Sequence, residues 1–190
     1  MKRTLLTLTI ATLLFASSAL GFDGLRKGFV LGGGLGFSPV AKWSVDESIP
    51  GFGTLKGDES KTGVGAQLLI GYAWDESNMI VWESNVTAYE SEDWDETLGQ
   101  GIGGASWYHY FGLPGKSAFT TVGLGVYIWD NSVLSDLEEI DPGFGLLFGG
   151  GYEFARHWQV GGYLSFGKTS WVILDFEHVH FNILVSGVAF

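Results

Sequence analysis

Past residue 21 the chain alternates between two kinds of position with a period of two, and helical spacing is nearly absent. In Lys27–Val40, Phe29, Leu31, Gly33, Leu35 and Phe37 fall on one face and Gly32, Gly34, Gly36 and Ser38 on the other. Seven further segments follow at 64–74, 80–89, 101–111, 118–129, 144–154, 158–167 and 178–190. Most set Leu, Ile, Val, Phe or Trp against Gly, Ser, Thr, Asn, Gln or a single carboxylate. The fourth is less regular, with Tyr108 and Tyr110 opposed to Trp107 and His109. Eight strands are predicted.

The connections alternate in length. Short ones follow the second, fourth and sixth strands, at 75–79, 112–117 and 155–157, and longer ones fill 41–63, 90–99, 130–143 and 168–177. That rhythm predicts an up-and-down antiparallel barrel with two unlike ends. The bulky face is too large for an eight-stranded interior, which only side chains can fill, so it is assigned to lipid and the small, polar face to the lumen. Each segment has roughly the 9–11 residues that cross an apolar layer when tilted, and closure leaves no backbone group unpaired. The fold class is therefore all-β: a closed transmembrane β-barrel. Tyr72, Trp74, Trp82, Tyr108, Tyr110, Tyr152 and Trp158, near short turns, and Tyr127 and Trp129, near a long loop, are assigned to interfacial aromatic belts.

The first residues change the domain picture. Lys2 and Arg3, an apolar run Leu5–Ala16 and the small residues Ser17–Gly21 predict a signal peptide at 1–21, leaving a barrel domain at 22–190. Cleavage after Ala19 and after Gly21 both fit. Residues 22–190 keep 8 basic and 21 acidic side chains, a formal charge of −13 that argues against nucleic acid. With no cysteine, disulfides and thiolate metal sites are excluded. The long connections hold 16 of the 21 acidic residues against Lys42, Lys56, Lys61 and Lys168, so the predicted outward end is acidic. The runs at 90–96 and 136–141 could collect divalent cations, although neither has calcium-loop spacing.

Three groups carry the candidate chemistry. Glu83, His109 and Glu153 are expected in the lumen near the short turns, as a polar network in which His109 partners Glu83 because no Lys or Arg is placed inside. Asp175, His178 and His180 form a candidate rim site, since paired histidines could bind a metal or act as bases. Phe190 closes the strand at 178–190, which must pair with the first strand. There Val179, Phe181, Ile183 and Val185 share one phase while Val188 and Phe190 take the other, so a bulge near Ser186–Gly187 is expected.

The segments RKGFVLGGGLGF and GFGLLFGGGYEFARHWQVGG and the terminal strand resemble the small OmpA/OmpX-type outer-membrane barrels, in an uncharacterised porin-like group. That resemblance implies a bacterial outer-membrane location. Its lipid partners would be outer-membrane lipids and lipopolysaccharide, with Phe190 as the signal read by the barrel assembly machinery. A monomer without a cofactor is expected. Lipid A 3-O-deacylases, also eight-stranded, use a His-x-Ser pair. Here the matching place reads His178-Val179-His180 and lacks the nucleophile. The expected function is a structural or surface-interaction role through acidic loops. A lipid-modifying enzyme and a narrow solute channel are the alternatives.

Overall fold

The computed structural model describes residues 25–49, 53–91, 96–130, 140–172 and 174–190. Its strands are β1 (Gly28–Ile49), β2 (Gly53–Ala73), β3 (Asn78–Ser91), β4 (Glu96–Tyr110), β5 (Ser117–Asp130), β6 (Asp141–Ala155), β7 (Trp158–Trp171) and β8 (Leu174–Ala189). Each pairs antiparallel with its neighbours, and β1 pairs with β8, giving a closed eight-stranded barrel. The predicted signal peptide and most of both acidic runs lie outside the described residues.

The outer face is apolar along a girdle. Leu35, Leu68, Trp82, Leu124, Phe148, Val160 and Ile183 all point out and are exposed. In water such a continuous surface would be a severe liability, whereas in hydrocarbon it costs nothing, so the barrel spans a membrane. On each of several strands a charged residue marks the upper edge of the girdle: Lys42, Glu90, Asp130, Lys168 and Glu177 point outward there.

Four expectations need correction. First, three predicted long loops are largely strand: β1 and β2 stay paired from Ala41↔Lys61 out to Ile49↔Gly53. Ladder hydrogen bonds need no lipid, so the strands continue where the apolar pattern stops. Second, β8 has no bulge near Ser186–Gly187. Its pairing runs without interruption from Ala189 to Ile183, and the register shift lies in β1, between Phe37 and Val40. Val188 and Phe190 point inward instead. Third, Tyr108, Tyr110, Tyr127 and Trp129 are not belt residues but buried lumen filling. Tyr72, Trp74, Trp82, Tyr152 and Trp158 do face outward.

The fourth correction concerns the interior, which is not simply polar. One apolar cluster, around Leu69, Tyr108, Tyr110, Phe119, Tyr163 and Leu184, fills the half nearer the short turns. A second, with Trp43, Tyr89, Leu98, Trp129 and Phe176, fills the half above the girdle. Lumen-facing glycines leave the volume that these rings occupy. A Cβ on Gly149 would meet Tyr163 Cδ1 at 2.7 Å, and one on Gly167 would strike the Tyr127 ring. Rings and glycines thus complement each other across the lumen.

Candidate functional site

The barrel interior brings the candidate residues together in three storeys. At the short-turn end, Arg26 enters from the segment before β1 and is fully buried. Its guanidinium forms an ion pair with Glu153 of β6 and donates to the Glu76 carbonyl. It also stacks on Tyr110, 3.7 Å from the ring centroid. The Phe190 ring lies 5.8 Å from the same guanidinium and 4.8 Å from the His157 ring. His157 and Val188 tie the β6–β7 turn to β8, the Val188 N–H donating to the His157 carbonyl at 2.8 Å. Arg26 and Phe190 therefore stopper this end. Glu153 takes the lumen position expected of it, but its partner is an arginine from outside the predicted strands, where no Lys or Arg was expected inside.

In the middle storey Glu83 is buried without a cation. Gln67 Nε2 donates to Glu83 Oε1 at 2.6 Å and Tyr108 OH to Oε2 at 2.9 Å, with Asn85 Nδ2 at 3.3 Å. His109 is not among these partners. It points outward beside Trp107 and Phe111, and its Nδ1 lies 2.9 Å from Asn78 Oδ1. The physical reason is that tyrosine supplies both volume for the lumen and a hydroxyl for the carboxyl, which an imidazole one residue on cannot match. The network continues upward: Asn182 Nδ2 donates to Asn85 Oδ1 at 2.8 Å, and Thr87 Oγ1 donates to Asn182 Oδ1 at 2.8 Å.

The upper storey holds His178 and His180, both buried and inward. Ser165 Oγ and Tyr127 OH each lie 2.8 Å from His180 Nδ1, and Thr169 Oγ1 lies 2.8 Å from His178 Nε2. Asp175 does not join them. It sits in the opposite phase of β8, on the outer face, where it accepts from Ser170 Oγ at 2.7 Å. The rim triad is thus split by the two-residue period of the strand. Ser165 is a nucleophile-type side chain against a histidine, which the sequence reading missed because it stands on β7. Ser165 is fully buried, and among the described residues no carboxylate hydrogen-bonds to the His180 imidazole. Among the described residues no three His, Asp or Glu side chains converge as a metal site.

Phe190, 3% exposed, belongs to the packed interior. Replacing it with Ser should therefore lower folded stability, by about 2–3 kcal/mol for burial of a large apolar side chain. Urea midpoints of refolded protein measure this. An unchanged midpoint would mean that the ring contributes nothing to the stopper.

The sequence matches no protein-family model and no curated protein. Solved structures do share the architecture. The outer membrane protein AlkL in DMPC lipid bilayers aligns at TM-score 0.50 and 12% identity, over 87% of this chain and 92% of that one. Neisserial surface protein A aligns at 0.49 and 13% identity, over 85% and 96%. OprG from Pseudomonas aeruginosa aligns at 0.48 and 11%, over 87% and 98%. At 12% identity the likeness to AlkL is one of fold, and it agrees with the apolar girdle: the chain has the fold of the small eight-stranded outer-membrane barrels.

Proposed function

We propose that this protein is a closed, non-conducting barrel of the bacterial outer membrane that acts through its acidic outward end. The observation that carries this reading is the filled lumen. Buried side chains occupy both halves, and Arg26, Glu153 and Phe190 stopper the short-turn end. Interaction is therefore left to the surfaces outside the lumen, foremost the outward end beyond the girdle. There Lys42, Lys56, Lys61 and Lys168 are each within 4.0 Å of a carboxylate, of Asp58, Asp46, Glu59 and Glu177 respectively. The remaining acids, among them Glu47, Glu90, Asp130 and Asp141, give that surface its net negative charge. Such a surface suits divalent cations, and through them the phosphates of lipopolysaccharide. The barrel assembly machinery is the proposed reader of the β8 terminus, and a monomer suffices because closure leaves no edge.

The test is conductance. Protein reconstituted in planar bilayers should show no steady openings, and sustained nanosiemens-scale steps would overturn the closed-lumen reading. The Ser165–His180 contact motivates one second reading, a lipid-modifying hydrolase. Mass spectra of lipid A from cells with and without the protein separate the two. Identical spectra are expected, and loss of one acyl chain would establish the enzyme.

A further inference from the structure

We propose that Lys27, Lys116 and Arg156 form a binding rim for the phosphate of anionic phospholipid headgroups at the short-turn end of the barrel. The two ends of the molecule treat their cations differently. At the outward end every described lysine lies within ion-pair distance of a carboxylate. At the short-turn end Arg26 alone has one, Glu153, while Lys27, Lys116 and Arg156 are exposed and form no ion pair among the described residues.

The described local acids do not compensate. Glu153 is committed to Arg26. Asp75 is committed to its own turn, accepting from the Ser77 N–H at 2.7 Å and from Asn78 Nδ2 at 3.0 Å. Glu76 is half-buried and is the one other described carboxylate on these turns. The two histidines are engaged as well, His109 with Asn78 and His157 with the Val188 carbonyl.

Position supplies the second argument. Tyr72, Trp74, Tyr152 and Trp158, all outward, mark the level where hydrocarbon gives way to headgroups. Arg156 is two residues from Trp158, and Lys27 is two residues from the outward Phe29. Lys116 shares its turn with Leu113, 73% exposed, an apolar side chain that water would disfavour and the acyl boundary accepts. The turns also adjoin: a Cβ on Gly115 would lie 3.2 Å from the Arg156 main-chain nitrogen. Three unpaired cations at phosphate height, beside an apolar anchor, match a phosphodiester with its glyceryl chains better than a soluble anion.

The test uses the folded barrel in phosphatidylcholine vesicles doped with brominated phosphatidylglycerol, whose bromines quench nearby tryptophan. Wild-type protein should be quenched as though the anionic lipid were enriched several-fold around it, about fivefold per engaged cation. The triple variant Lys27→Gln/Lys116→Gln/Arg156→Gln should lose most of that enrichment, while Lys42→Gln/Lys168→Gln should keep it. In wild-type protein, molar salt should also abolish it. Equal quenching by brominated phosphatidylcholine and phosphatidylglycerol in wild-type protein overturns the proposal, as does enrichment that survives in the triple variant. Cosedimentation with peptidoglycan that depends on these three cations, without lipid enrichment, would assign the rim to that polymer instead.

Discussion

Arg26→Ala should remove about 3 kcal/mol of stability, the lower part of the range for breaking a buried ion pair. The substitution leaves Glu153 in place on β6, where a strand paired on both sides prevents it from turning to water. Its Oε1 already lacks a hydrogen-bond partner, so the carboxyl would keep no cation and few donors. The arginine also covers the Tyr110 ring, and that contact is lost with it. Water entering the vacated end limits the cost, which is why the lower part of the range applies. Glu153→Gln should cost less, because the Arg26 segment is not held in the barrel ladder and can withdraw. In the double variant the two costs should fall short of additivity by about 1–3 kcal/mol, as expected for residues in direct contact. Urea midpoints for the four proteins, folded in the same lipid, give the cycle. Strict additivity, or an unchanged midpoint for Arg26→Ala, would show that the stopper is not held by this pair.

Ile183→Lys should cost about 2–4 kcal/mol, because it sets an ammonium near the middle of the hydrocarbon. Ile183 points outward, opposite Phe37 on β1 and Gly162 on β7. It stands six residues below Glu177, the charged residue that marks the upper edge of the girdle on β8. Val179→Lys is the matched control. It has the same phase but lies two residues from that edge, where a lysine can reach water and costs about 0–1 kcal/mol. The measurement is again the urea midpoint, for both variants in one bilayer composition. Equal costs at the two positions would mean that the girdle does not lie where the outward apolar side chains place it.

Strand number, order and closure were legible because lipid and lumen impose opposite demands on alternate residues. Where the lumen side is glycine or small and polar, as along β1 from Gly32 to Ser38, the phase reads directly. It failed on β4, where aromatic residues occupy both phases. Polarity cannot separate Trp107 from Tyr108, although only the tyrosine carries a hydroxyl that can reach Glu83. On β5 the phase was clear, since Tyr127 and Trp129 share the parity of Thr121 and Gly123, but their aromatic character beside a long loop assigned them to a belt. Arg26 escaped notice because nothing local distinguishes it from Lys27, its rim neighbour. What places it inside is Glu153, 127 residues away in sequence. On β8 no bulge was needed: the alternation holds throughout, and Val188 and Phe190 are apolar residues in the inward phase, where they fill the short-turn end. The irregularity lies instead in β1. The shift in β1 falls at Ser38-Pro39, where proline has no N–H to give the ladder. The Asp175–His178–His180 grouping overlooked that residues 175 and 178 have opposite parity on a strand.

The register shift in β1 also divides the barrel between two solvents. Below it, the wall faces hydrocarbon and the lumen faces itself. Above it, Lys42, Glu90, Asp130 and Glu177 face water around Trp43, Tyr89, Trp129 and Phe176, the arrangement of an ordinary water-soluble protein. Only that upper storey hides its apolar interior behind a wetted wall while the protein sits in its membrane. Its local opening would carry the positive heat capacity that marks apolar hydration, whereas exchange of wall contacts for acyl chains lower down would carry little. Cooling should therefore weaken the top of the barrel before its girdle, so that temperature acts on two halves of one sheet by different laws.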